Sequence, residues 1–311
     1  MKKYRILVVG GTNMQLSMNM YKIPSVDEKI VDDGGVGYVP GGHGLAAAIS
    51  LARLGADALL VTKLGRDLHG QQLYSYLREA GVNTSAVKVD NQAQTALTVN
   101  LKTCAGNATV VYPGACEMLT RENIRDGFAE MPDAVSISLD LPIDLVIFVI
   151  GEAKARGIPV FVDGSPADEG YPLESLPEVE IFSPNEKETE AFVGQLPIGV
   201  DASLRAAVSL FRRVKCKYLV IKQGERGAFI YDGKRYFMIP PIAAGKPVDT
   251  QGAGVAFNAG LVMRYLAGQR DIKSAVQYGA VVAAIAVTRR GAYTSVPTED
   301  EVVHFLEKYT N

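Results

Sequence analysis

The sequence predicts an α/β protein with a covered, mainly parallel central sheet. Two observations carry this: short β-rich apolar runs close on glycine again and again, and helical stretches with periodic apolar faces lie between them. A third observation adds a small antiparallel flap, because two segments break the alternation. At 311 residues with 48% hydrophobic and 21% charged, the chain can bury a large core, and one domain over 1–311 with a lid inserted from about 14–40 and 95–113 is expected.

The predicted strands are Ile6 to Val9 closed by Gly10-Gly11, Leu59 to Thr62, Val135 to Ser138, Val160 to Val162, Ile181-Phe182 and Tyr218 to Ile221. The spacing predicts helices over Leu45 to Leu54, Leu68 to Ala80 and Pro142 to Ala155, stopped at Gly55, Gly81 and near Gly157. Small and aliphatic residues over Ala253 to Leu266 and Ile272 to Thr288 predict two largely buried helices. The flap is assigned to Met14–Pro40, rich in Asp and Gly, and to Thr95–Pro113, where β-branched and polar residues alternate.

A formal charge of -2, from 32 basic and 34 acidic residues mixed along the chain, offers no basic block for nucleic acid or a membrane surface. Cys104, Cys116 and Cys216 are odd in number and far apart, which argues against a disulfide framework or a cysteine metal cluster and fits a reducing cytoplasm. The apolar run after Lys2-Lys3-Tyr4-Arg5 ends at Gly10, too short for a signal sequence or a membrane span.

The segment that carries chemistry is Val248-Asp249-Thr250-Gln251-Gly252-Ala253-Gly254-Val255-Ala256-Phe257, which sets small residues just before a long apolar helix. Unpaired N–H groups and the helix dipole favour an anion there, and small side chains let it approach the backbone. The alternative is a glycine turn that serves close packing only.

These residues resemble the ribokinase branch of the phosphofructokinase-B carbohydrate kinases. That family's signature, Asp-Thr-x-Gly-Ala-Gly-Asp-x-Phe, is matched at Asp249, Thr250, Gly252, Ala253, Gly254 and Phe257 and departs at Val255. Similar stretches are Gly41-Gly42-His43-Gly44 with Ala52 to Ala56, Leu64 to Asp67 with Gly70, Pro113 to Ala115, Pro184 to Glu188, Lys222 to Gly227, and Val287 to Ala292 running to Ser295.

The resemblance implies a ribokinase-like, doubly wound (Rossmann-like, three-layer) sheet with a β-sheet lid, transfer of phosphate from ATP with Mg²⁺ to a sugar hydroxyl, and dimerisation through the lids. It implies that Asn185 and Glu188 organise Mg²⁺ and phosphates, and that Lys222, Gly224 and Gly227 line the nucleotide site. Asn13, Gln15, Gly41, Gly42, Ala46 and Asp140 fall at sugar-side positions. A monovalent cation, K⁺, is implied at the Asp249 side chain and at carbonyls near Gln251, Ala286, Gly291 and Ser295, since hard cations take oxygen ligands. Without the resemblance, Asn185 to Glu188 is a charged helix start, and the 288–295 loop is a helix terminator.

The departures gather at one place. Valine at 255 cannot accept the proton of an attacking hydroxyl, and losing a positioned base costs ~10²–10⁴-fold in rate. Asn13-Met14-Gln15 carries an amide where the family has an acid, Ala46 replaces a sugar-binding asparagine and His43 replaces a lysine. Nucleotide binding with weak or silent transfer is therefore expected. One alternative is an active sugar or nucleoside kinase with a shifted substrate and a substitute base, with His43 as candidate and a solvated loop histidine as its plainer reading. A non-catalytic interaction protein that dimerises through the lid is the other.

Overall fold

The computed structural model describes residues 3–166 and 170–309. After β1 (Arg5–Val9) the chain makes β2 (Asn13–Asn19) and β3 (Val36–Gly41), then α1 (His43–Arg53), β4 (Asp57–Val61), β5 (Lys63–Gly65), α2 (Leu68–Glu79) and β6 (Lys88–Asp90). A hairpin of β7 (Leu97–Thr103) and β8 (Gly106–Tyr112) precedes α3 (Gly114–Glu117), α4 (Arg121–Ala129), β9 (Ala134–Ser138), α5 (Ile143–Ala155) and β10 (Val160–Asp163). There follow β11 (Val179–Ser183), α6 (Glu186–Val193), α7 (Val200–Arg213), β12 (Cys216–Lys222), β13 (Ala228–Tyr231), β14 (Tyr236–Ile239), α8 (Ala253–Ala267), α9 (Ile272–Ala286) and α10 (Glu299–Tyr309).

The main sheet has eight strands in the order β14-β13-β12-β11-β10-β9-β1-β4. Strands β4, β1, β9, β10, β11 and β12 are parallel, and β13 and β14 add an antiparallel edge. Side chains alternate across this sheet. Ile6 and Val8 enter a core with α1, α2, α8 and α9, whereas Leu7 and Val9 enter a second core with α4, α5 and α7. Both faces are thus covered, which is why the strands read as continuous apolar runs.

Strand β1 pairs with β4 on one side and β9 on the other, and its two neighbours are reached by helices on opposite faces. That reversal opens a crevice at the carboxyl ends of β1 and β9.

The flap was expected to be antiparallel; it is a mixed sheet of order β3-β2-β7-β8, with β2 and β7 parallel. Both central strands start at the body, where Met14 N–H donates to Ala96 O at 2.9 Å, and both run outward before their hairpins return. Residues 20–35 contain no strand. The antiparallel edge β13–β14 also went unread in the sequence, although Asp232-Gly233 between two aromatic-rich runs is a hairpin signal.

Backbone meets backbone where α1 docks on β1. A Cβ on Gly44 would stand 2.5 Å from the Gly10 carbonyl, and one on Gly42, at φ +101°, would stand 2.3 Å from Gly11 O. Gly44→Ala should therefore destabilise the fold by about 1–3 kcal/mol in urea denaturation. Gly151→Ala, on the exposed face of α5 with open space around it, should stabilise by about 0.5–1 kcal/mol.

Candidate active site

Four strands and two helix starts deliver side chains to one end of the sheet. Asp163, Ser183 and Lys222 end β10, β11 and β12, Asp140 follows β9, His43 opens α1, and Ala253 opens α8. Val255, His43, Gly44, Asp163, Ser183 and Asn258 line one cleft with about 30 Å³ of space, room for about two waters.

The small-residue loop divides its positions between close packing and open backbone. Gly252 is a packing glycine: at φ +80°, a Cβ there would stand 1.8 Å from Ala292 O. Gly254 is exposed, and the nearest atom to a Cβ there would be Lys222 Nζ at 3.7 Å. The Gly254 and Val255 N–H groups lie in the first turn of α8 and have no backbone acceptor among the described residues. Two free donors, a helix start and an ammonium group make a cradle that suits a phosphate.

Lys222 is almost fully buried and donates to Asp163 Oδ1 at 2.9 Å. Next to it lies Asn185, the N-cap of α6: its Oδ1 accepts from Glu188 N–H at 2.9 Å, while its N–H and Nδ2 each donate to Glu188 at 2.6 Å. The plain reading of this motif as a helix start is thus correct in form, since the two residues make a capping box. Burial pushes the Glu188 carboxyl above the usual range, and Asp163 adds to this while Lys222 opposes it.

No group of three His, Cys, Asp or Glu among the described residues could hold a metal ion by itself. Asp163 and Glu188 beside the cradle fit Mg²⁺ in the way it is usually held, by one or two carboxylates together with substrate phosphates. Gly224 and Gly227 flank the turn after β12; Gly224 is open to solvent, and Gly227 packs against Ile239 O.

On the other side of the cleft, Asn13 and Gln15 share a face of β2, and the Gln15 side chain covers Gly41. Thr12 Oγ1 and Asn13 Oδ1 are buried without partners among the described residues, hydrogen-bonding capacity that a bound hydroxyl would satisfy. Ala46 packs in the first turn of α1 against the core. Asp140 accepts from Ser138 Oγ at 2.6 Å and from Gly11 N–H at 3.3 Å.

His43 is not a solvated loop residue. It is the first residue of α1, half-buried, with Nδ1 3.5 Å from Asp140 Oδ2 and Nε2 3.0 Å from Ser165 Oγ. Burial disfavours its charge, but the hydrogen bond and charge of Asp140, with Asp163 and Glu188 behind, raise its pKa above the ordinary imidazole value. The carboxyl of Asp140 is lowered despite burial, through His43, Ser138 and Gly11.

The Asp249 carboxylate accepts from Gln251 N–H at 3.0 Å and Gly291 N–H at 3.1 Å, which hold it below the usual range and tie the phosphate loop to the 288–295 loop. Ala286 and Ser295 lie buried in that neighbourhood, and the Ala286 carbonyl accepts from Arg289 N–H. Sequence reasoning missed Asp163, Ser165, Ser183 and Asn258. For Asp163, an acid at the end of an apolar strand before glycine was the available signal.

With only three histidines in the chain, the imidazole resonances can be followed singly by NMR. His43 should titrate above about 6.5, and Asp140→Asn should bring it down. Titration at the ordinary value in both proteins would contradict the pairing.

Comparisons with known proteins bear on the fold and the family. Ribokinase of Bacillus subtilis is 28% identical over 307 residues, covering 97% of this chain and 99% of that protein. The bifunctional ribokinase/ribose-5-phosphate isomerase A of Fructilactobacillus sanfranciscensis is 28% identical over 98% of this chain, which spans 56% of that longer protein. Among solved structures, ribokinase from Giardia lamblia superposes with a TM-score of 0.87 at 25% identity, covering 99% of this chain and 100% of that one. Arabidopsis thaliana ribokinase complexed with ribose and ATP gives 0.85 at 24% identity, over 98% of this chain and 99% of that one. The pfkB family carbohydrate kinase profile matches residues 3–299, and with the ribokinase-like fold and its small lid sheet in place, the chain belongs to that family of kinases.

Proposed function

We infer that this chain binds ATP in the α8 cradle and transfers its terminal phosphate slowly, because position 255 offers no proton acceptor. The observation that carries this is Val255 itself: its side chain lines the cleft beside the phosphate cradle, and a hydrocarbon cannot take a proton. In this reading Gly252, Ala253, Gly254 and Lys222 hold phosphates, Asn185 and Glu188 organise Mg²⁺, and Gly224 and Gly227 border the nucleotide. Positioning and charge stabilisation survive, which is much of the catalysis of phosphoryl transfer.

The acceptor in this account is a small polyol, sugar or nucleoside held by Asn13, Gln15, Gly41, Gly42 and Asp140. Ala46 gives it no hydrogen bond, so a furanose would lose a directed contact worth about 1–3 kcal/mol. K⁺ beside Asp249 belongs to the same reading, as does one domain with an inserted lid. Dimerisation through that lid is supported by the exposed Tyr38, Val39, Val110, Val111 and Tyr112. A cytoplasmic setting suits its three free cysteines.

Calorimetry should show saturable ATP binding, weakened at least tenfold in Lys222→Ala. Val255→Asp should raise phosphoryl transfer by about 10²–10⁴-fold across a pentose, hexose and nucleoside panel. A parent protein as fast as Val255→Asp would contradict the account. A second reading, an active kinase with another base, draws on the contacts of His43.

A further inference from the structure

The geometry assigns to His43, held by Asp140, the task of accepting the proton of the attacking hydroxyl in place of a carboxylate at position 255. The assignment rests on the nucleotide-binding reading and says how its slow transfer proceeds.

The imidazole is anchored at both ends. It projects from the first residue of a helix whose start is fixed by Gly42 and Gly44 against Gly10 and Gly11. Its Nδ1 faces Asp140 Oδ2 at 3.5 Å, a contact at the outer edge of hydrogen bonding of the kind that tightens when substrate arrives. Asp140 has little freedom of its own, since Ser138 Oγ and Gly11 N–H hold it. A carboxylate at Nδ1 keeps the proton there and leaves the lone pair on Nε2, so Asp140 acts as a positioning residue.

Nε2 already meets a hydroxyl, Ser165 Oγ at 3.0 Å, which marks where an acceptor hydroxyl would sit. Short contacts connect that spot to the phosphate cradle. Ser165 N–H reaches Asp163 Oδ1 at 3.3 Å, Lys222 Nζ reaches the same oxygen at 2.9 Å, and Lys222 Nζ borders Gly254. His43, Asp163 and Val255 line one cleft.

In the step itself, the acceptor O–H gives its proton to Nε2. The oxygen electron pair forms a bond to the terminal phosphorus of the nucleoside triphosphate as the bond to the bridging oxygen breaks, and the nucleoside diphosphate leaves with that electron pair. The imidazolium is balanced by Asp140 and returns its proton to solvent.

Only the neutral ring can accept, so the rate rises with pH through the pKa of His43 and falls on the acid side. The carboxylates of Asp140, Asp163 and Glu188 move this limb upward, burial opposes them, and Lys222 stands across the cleft on Asp163.

The test is release of ADP from ATP between about pH 5.5 and 9, with pentose, hexose, nucleoside or water as acceptor. The proteins are the parent, His43→Gln, Asp140→Asn and His43→Gln with Val255→Asp, each checked for ATP binding by calorimetry. The expected result is a slow parent rate with an acid limb above about 6.5. His43→Gln should lose about 10²-fold or more along with that limb, and Val255→Asp should restore transfer to it. Asp140→Asn should move the limb to lower pH.

A His43→Gln protein with unchanged rate and profile overturns the assignment, as does a parent with no turnover on any acceptor. If His43→Gln fails to fold, Asp140→Asn decides, and an unmoved limb overturns it. A parent that does not bind ATP sinks the nucleotide reading and this one together, whereas intact binding with a rate indifferent to His43 sinks only this one.

Discussion

The contact on which the site depends is the meeting of two backbones, Gly10-Gly11 at the end of β1 and Gly42 to Gly44 at the start of α1. With Gly44 N–H donating to Gly11 O at 3.0 Å, the helix start sits directly over the strand end, and no side chain separates them. This places His43 over the crevice between β1 and β9 and brings it to Asp140 and Ser165. The second helix start, at α8, is positioned in the same way by Gly252 against Ala292 O, with Asp249 clipping the two loops together. Dispensing with Cβ atoms at these points lets the chain bring backbone donors close to an anion.

Charge around the cleft is balanced over short distances. Lys222 neutralises Asp163, His43 faces Asp140, and the buried Glu188 is satisfied by Asn185 and shifts toward its neutral form. Burying unpaired charge is costly, so these pairings fix the geometry as well as the electrostatics. Valine at 255 adds neither a charge nor a proton acceptor to this group.

Much of the fold could be read from periodicity. Strands β1, β4, β9, β10, β11 and β12 are covered on both faces and so appear as apolar runs, and α1, α2 and α5 stop at Gly55, Gly81 and Gly157, which adopt positive φ there. Strand β13 is covered on both faces too, but it is only four residues long, and the edge strand β14 is half exposed; neither was read. The parallel pairing of β2 with β7 depends on where each strand leaves the body, which no local pattern records.

Within the site, the Gly252 to Gly254 loop and the Asn185–Glu188 pair were legible because each is a local helix-start motif. The His43–Ser165 contact joins residues 122 apart in the chain, and Asp163 stands out only once Lys222 is seen beside it. Tertiary folding creates these contacts, so the sequence shows their ingredients without their arrangement.

The most direct test of the central claim is an NMR titration of the labelled protein with ATP, following the backbone amides of Gly254 and Val255. The account predicts that these two donors shift and saturate together with Lys222. Saturable ATP binding that leaves both amides unmoved would place the phosphates elsewhere and contradict it.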